Sequence, residues 1–331
     1  MRAAFYEKSG AARDVLRVEE LPTPTPGPGE VRVRLAWSGV NPSDVKSRAM
    51  ASGRPLAFPR IVPHSDGAGT IDAVGAGVPG SRVGERVWVW NGQWGRPFGT
   101  AAEYIALPAH QAVPLPDGVD LAVGACLGIP ALTAYHAVTT DGGVADRRVL
   151  VAGGAGAVGH YALQLARLMG ARQLLTTVSG PEKGEIARAA GADVVVNYRT
   201  EDATARIMEA TGGAGVDRVI EVDAAANIGL DVAIVAPDGD LVIYGSGQRD
   251  IPMPFGPLIM KNVGVRFFIV YNLRLDVQQR AIAHLTSLLE RGALTHNVAA
   301  RLPLDRIAEA HELVEQGRVT GNVVVSLDAP G

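Results

Sequence analysis

The sequence predicts an α/β protein: a doubly wound, six-stranded parallel sheet together with a second, mostly-β domain. Three observations carry that reading. A glycine-rich turn, Gly154-x-Gly156-x-x-Gly159, stands between a short apolar run and an amphipathic segment. Downstream of it, apolar runs alternate with stretches of helical spacing. Upstream, short runs alternate with period two between prolines and glycines, the grain of an antiparallel, barrel-like domain.

Taken in chain order, Glu30-Val-Arg-Val-Arg-Leu35 and Arg86-Val-Trp-Val-Trp90 read as half-buried strands. The stretch before them, Leu-Pro-Thr-Pro-Thr-Pro-Gly-Pro-Gly at 21–29, cannot be regular helix, because proline removes a donor and clashes with the preceding turn. After the glycine turn, Ala162, Leu165, Ala166 and Met169 fall on one helical face, and Gly170 ends that helix. Strands follow at 173–178, 194–197, 217–222, 240–244 and 265–270. Helices are placed between them at 181–190, from about 201 to 210, and at 225–235. Strands that alternate with helices give a parallel sheet covered on both faces. A return segment, helix 305–316 with Gly317 as its stop and strand 322–327, completes the first domain. The expected domains are 1–122 completed by 271–331, and 123–270.

The glycine turn implies a dinucleotide. One glycine permits the turn, the next admits a pyrophosphate, and the third lets helix and strand pack closely, with Ala157 and Val158 opening the helix. Its phosphates would face unpaired N–H groups and the positive end of the helix dipole. An acidic residue about 20 positions further on would hold the ribose hydroxyls of NAD. The chain has Ser179 there, no carboxylate between Gly159 and Glu182, and then Lys183 and Tyr198. A missing acid removes repulsion toward a 2′-phosphate and an ammonium attracts it, so NADPH is favoured over NADH. Outside that role, Lys183 reads as a solvated helix residue and Tyr198 as a strand-end anchor.

The 331 residues suit two domains, and a single cysteine, Cys126, excludes an internal disulfide. Its apolar setting makes it a small core residue. The amino-terminal stretch does not read as a signal peptide, no apolar run has membrane-spanning length, and a cytoplasmic enzyme is expected. A net charge of −3 offers no basic stripe for nucleic acid.

In order and spacing the chain resembles the medium-chain dehydrogenase/reductase superfamily, in its zinc-independent quinone oxidoreductase branch, which includes zeta-crystallin. The resemblance rests on Gly39-Val-Asn-Pro-Ser-Asp44, Gly67-Ala-Gly69 with Val74-Gly75, Gly84-Glu-Arg-Val87, Gly99-Thr-Ala-Ala-Glu-Tyr104 and Leu132-Thr-Ala134. The glycine turn, Ser179 with Lys183, and Gly191-Ala-Asp193 through Asn197-Tyr198 complete it. It implies a GroES-like first domain and a 2′-phosphate site at Ser179, Lys183 and Tyr198. It further implies that Asn41 and Thr133 line the cofactor's reactive end, with Gly245, Ser246, Phe267, Ile269 and Tyr271 also against the cofactor. The same edge, Phe267 to Tyr271, commonly joins a second subunit, so a homodimer is expected. Related alcohol dehydrogenases bind zinc, but this chain has Pro42-Ser43 where a first ligand would fall and only His64 with Ser65 and Asp66 after it. His64 is therefore expected as a pocket-wall or hydrogen-bonding residue, and no metal site is expected.

Chemistry without a metal or an acid–base dyad has to be carried by the cofactor, which points to hydride donation to an electron-poor acceptor. Asn41 and Ser43 are candidate donors to the developing oxygen charge, and Thr133 a candidate for orienting the nicotinamide amide. Asn41 and Thr133 equally fit turn and helix-cap roles. Trp94, on a glycine-rich loop before Phe98, is a candidate wall for a flat acceptor, with His64 and Tyr271, while Trp88 and Trp90 share a strand face suited to the core. The leading expectation is an NADPH-dependent, zinc-free quinone reductase. A reductase of enoyl thioesters or 2-alkenals is the alternative; a CoA-sized substrate would call on Arg48, Arg54, Arg60 and Arg96. A non-catalytic NADPH- or RNA-binding, crystallin-like protein is the third reading.

Overall fold

A computed structural model describes residues 1–49 and 56–327. The chain forms two units, Met1–Ile129 with Ile282–Gly331, and Pro130–Ala281. The helix Leu275–Glu290 spans the second boundary.

The unit Pro130–Ala281 holds a six-stranded sheet in which every pairing is parallel. In chain order its strands are Arg148–Ala152, Gln173–Val178, Val194–Asn197, Val216–Glu221, Val235–Ile243 and Gly264–Phe267. Across the sheet they run third, second, first, fourth, fifth, sixth. The order reverses beside the first strand, and such a switch point leaves a crevice at the carboxyl ends of the strands. The first five strands in chain order carry apolar side chains into the covered interior: Leu150, Leu175, Val196, Val219 and Leu241 are all fully buried. Each such side chain contributes about 1.5–3 kcal/mol. The sixth strand is exposed along its whole length.

Several elements differ from the sequence expectation, among them the sixth strand, expected at 265–270 and observed as Gly264–Phe267. The predicted fifth strand, 240–244, is the end of a longer one that begins at Val235 and shifts register against its neighbour. The predicted helix 305–316 opens as a 3-10 turn, Leu304–Arg306, and becomes α-helical only over Ile307–Glu315. The helix Leu275–Glu290 and the strand Val298–Pro303 were not expected. The helix had a signal, since Ala281, Leu285, Leu288 and Leu289 recur at helical spacing and are buried.

In the other unit the period-two pattern is realised along Glu30–Val40, where Val31, Val33 and Leu35 point into the core. Its principal sheet has seven strands, centred on the antiparallel pair Glu30–Val40 and Asp66–Val74. The return strand Asn322–Ser326 pairs antiparallel with Glu30–Val40, while Val298–Pro303 lies parallel to the return strand. Trp88 and Trp90 are both buried in this unit. Arg54 lies outside the described residues.

Candidate functional site

The glycine turn opens the nucleotide-binding half of the site. The residue that turns the chain is Gly153, with φ of +68°, one position before the glycine to which the sequence reading gave that role. Gly154 packs instead: its N–H donates to Thr176 Oγ1 at 2.9 Å, and a Cβ there would collide with that hydroxyl. Gly156 is the N-cap of the helix Ala157–Leu168. Gly159 lies so close to the Gly153 carbonyl that a Cβ has no room. The N–H groups of Ala157, Val158 and Gly159 in the first turn have no intrahelical acceptor, so the helix presents them with its positive dipole end. Backbone, open approach and positive end together suit a pyrophosphate.

Ser179 follows the second strand of the parallel sheet, Lys183 stands in the first turn of the helix Pro181–Ala189, and Tyr198 follows the third strand. The Tyr198 N–H donates to the Val178 carbonyl at 3.1 Å, which ties the two strand ends together. The Tyr198 ring is exposed. Ser179, Lys183 and Tyr198 thus come to one end of the sheet.

At the carboxyl ends of the fifth and sixth strands a cavity of about 530 Å³ is lined by Gly245, Ser246, Phe267 and Ile269, residues that the family resemblance implies lie against the cofactor. A Cβ on Gly245 would collide with the Val222 carbonyl, so that strand end passes very close to its neighbour. Tyr244 and Arg249 also line this cavity, and sequence reasoning missed both. Arg249 is the first cation after the Gly245-Ser-Gly turn, a signal that could have singled it out. Tyr271 is outside this lining, on the 3-10 turn Val270–Asn272. Thr133 is buried in the first turn of the helix Leu132–Thr139.

The unit containing Met1–Ile129 builds its polar residues into a buried network. The Asn41 side-chain amide donates to Asp66 Oδ2 at 2.9 Å, and the Asn41 backbone N–H donates to Asp44 Oδ2 at 2.8 Å. Burial pushes Asp44 up to about 7, against the pull of its hydrogen bonds from Asn41. Burial likewise drives Asp66 well above the usual carboxylate range. A Cβ at Gly128 would collide with Asp66 Oδ1, so glycine there leaves space for the carboxyl group. Ser43 follows in the first turn of the helix Pro42–Ala49.

His64 is fully buried, with φ of +75°. Its Nδ1 lies 2.7 Å from Ser38 Oγ and its Nε2 lies 2.9 Å from His311 Nε2. Ser38 Oγ is also 2.8 Å from Thr100 Oγ1. A ring so enclosed cannot form a substrate-accessible wall; of the two sequence expectations, the hydrogen-bonding one fits the geometry. Burial lowers the His64 pKa to about 3, and burial, with the neighbouring His64 ring and Arg48 opposing a further positive charge, lowers that of His311 well below 6.5. Both rings are neutral near pH 7, so one donates its Nε2–H to the other. Arg48 is equally unavailable as a substrate rim: it is buried and bonds the Gly10 carbonyl and, at 2.8 Å, the Glu315 carboxylate.

Trp94 is 44 % exposed and Phe98 50 % exposed on the loop after the strand Arg86–Val89. Among the described residues, no group of three or more His, Cys, Asp or Glu gathers as metal ligands. Cys126 is buried, its thiol directed to the Ala122 carbonyl at 3.3 Å, and burial raises its pKa well above 9.0, so it stays a protonated core thiol. His64, the one histidine in the expected ligand segment, spends both ring nitrogens on Ser38 and His311. This donor set does not fit zinc, which takes at least three protein ligands.

Two family models match the chain: the alcohol dehydrogenase GroES-like domain over residues 27–117 and the zinc-binding dehydrogenase domain over residues 157–287. A quinone oxidoreductase of Pongo abelii is 32 % identical over 292 residues, covering 87 % of this chain and 86 % of its own. The structure of an Escherichia coli quinone oxidoreductase complexed with NADPH superposes with a TM-score of 0.87 at 25 % identity, covering 98 % of this chain and 100 % of that one. An NAD-dependent alcohol dehydrogenase superposes with a TM-score of 0.89 at 29 % identity, covering 99 % of this chain and 100 % of that one.

Proposed function

This chain belongs to the medium-chain dehydrogenase/reductase superfamily, in its quinone oxidoreductase branch, and on that premise we propose that it is an NADPH-dependent, zinc-free reductase of quinones and related electron-poor acceptors. The observation that carries the reading is the end of the second strand of the parallel sheet. Ser179 stands where an acidic residue would hold the ribose of NAD, with Lys183 and Tyr198 at the same sheet end. An ammonium without a competing carboxylate at that position favours an adenosine 2′-phosphate.

The Gly153–Gly159 turn fits the pyrophosphate, because Gly154 and Gly159 carry no Cβ where backbone and side chains already meet. When bound, NADPH supplies the hydride. The protein's part is alignment, exclusion of water and donation to the oxygen on which negative charge develops. Asn41 is our candidate donor, its amide held by Asp66, with Ser43 beside it in sequence and Thr133 as the residue that orients the nicotinamide amide. Gly245, Ser246, Phe267 and Ile269 form the wall against the cofactor. Metal plays no part in this reading, because the donor set around His64 is already spent within the protein.

The test is NADPH oxidation by chelator-treated protein against a small quinone, a polycyclic quinone, an alkenal and a crotonyl thioester, with NADH in parallel. Binding of both nucleotides is followed by fluorescence. Quinone turnover with NADPH preferred is the expected result. Turnover of the conjugated alkenes alone would move the activity to an ene-reductase, and tight NADPH binding without turnover would make the protein a non-catalytic binder. Restoration of lost activity by zinc would overturn the metal-free reading.

A further inference from the structure

The unit containing Met1–Ile129 encloses a cavity of about 560 Å³ that neither the nucleotide site nor the Asn41 network uses. The volume is within the range of small-molecule sites, about 300–1,000 Å³. Its walls are mainly apolar, formed by Leu21, Pro24, Val62, Phe98, Ile105 and Pro108, and Phe98 is left half-exposed.

Three charged side chains line this chamber: Arg60, Arg96 and Glu30. Arg60 is already neutralised, since Nε and Nη2 both donate to Glu7 Oε1, at 2.9 and 2.7 Å, and its guanidinium stacks 4.4 Å from the Phe5 ring centre. Glu30 Oε2 accepts the Gly27 N–H at 2.9 Å. Arg96 differs from both. Its side-chain partner is the neutral amide oxygen of Gln111, and no carboxylate among the described residues lies within ion-pair distance of it. Burial lowers its pKa, and Glu30 offsets this only through longer-range attraction.

A half-buried guanidinium without a bonded anion has lost hydration that one neutral amide oxygen and a longer-range carboxylate replace only in part. Its planar fork matches a carboxylate, and the apolar chamber beside it matches a hydrocarbon. A neutral hydrocarbon would leave the charge uncompensated, and a dianion would meet Glu30. We propose that this cavity is a binding site for an amphipathic monocarboxylate of medium chain length, the tail filling the chamber and the head paired with Arg96. The proposal does not depend on the function proposed above.

The experiment is calorimetric titration of the protein with decanoate, with and without saturating NADPH, and with decanol as the uncharged control. Decanoate is expected to bind one site in both conditions and more tightly than decanol. Arg96→Met should weaken it about tenfold or more while leaving NADPH binding intact, and Arg96→Lys should recover part of the loss. If Arg96→Met upsets the loop, Ala106→Phe serves instead: Ala106 lines the chamber, and a phenyl ring there should abolish decanoate binding with NADPH affinity retained. Absence of decanoate binding, equal affinity in Arg96→Met and Ala106→Phe, or displacement of decanoate by NADPH would each overturn the proposal.

Discussion

At the residue scale, cofactor choice rests on one ammonium. Lys183→Ala should weaken NADPH by about 1.5–3 kcal/mol, as expected for loss of a charge-assisted contact, and leave NADH almost unchanged. Fluorescence titration of both nucleotides measures this, and equal losses would remove the 2′-phosphate role. A second single-residue effect concerns His64. Its pKa is about 3 in the folded protein against an ordinary 6.5, so the folded state resists the proton that the unfolded chain accepts. Its contribution to stability is complete above pH 6.5 and is lost as pH falls from 6.5 toward 3. Thermal melts should drop over that window, and His64→Gln should flatten the acid side of the curve. The sequence placed His64 in a segment of interest but could not show that its ring faces Ser38 and His311, because His311 lies 247 positions away. The Asn41–Asp66 hydrogen bond was illegible for a like reason, since its partners lie 25 positions apart.

At the scale of elements, the glycine turn was legible because its demands are local: tight turn, close packing and helix start all fall within a few residues. The assignment of the turn to Gly153 needed the backbone angle. The fourth strand of the parallel sheet shows what periodicity conceals. Arg218 reads as an interruption of an apolar run, yet it is fully buried, bonds Asp240 at 2.6 and 3.0 Å, and caps carbonyls at the end of the helix Leu132–Thr139. At the carboxyl end of the same strand, Glu221 faces Asp231 of the helix Ala224–Ile234, both buried. Burial raises both, Asp231 to about 8, with the Glu221 charge adding to the Asp231 shift. The folded pair holds a proton that the unfolded chain releases. Its stabilising contribution is therefore full below pH 3.8 and is lost as pH rises toward about 8. Asp231→Asn should raise the melting temperature more at pH 9 than at pH 6, and a pH-independent difference would dissociate the two carboxyl groups.

For the whole molecule, the sixth strand of the parallel sheet is an exposed edge, and Phe255 and Met260 are 72 % and 85 % exposed on the short helix before it. Unpaired strand edges and exposed apolar side chains favour association, and we propose that a second copy of the chain pairs there. Val265→Lys should leave a monomer by sedimentation, and a wild type that is itself monomeric would end the proposal. The sequence alone determined the fold class, the parallel sheet with its glycine turn, the identity of the residues at the second and third strand ends, and the lack of thiolates for a zinc cluster. These follow from composition and from patterns that repeat within one strand or helix, where the physics is local. Tertiary structure decided which polar residues are buried, which nitrogens of His64 are already engaged, and which guanidinium, Arg96 rather than Arg48 or Arg60, is left without a bonded carboxylate beside an apolar cavity. Those outcomes depend on partners brought together from distant parts of the chain, and burial by such partners fixes charge and hydrogen bonding, a cause that no local spacing encodes.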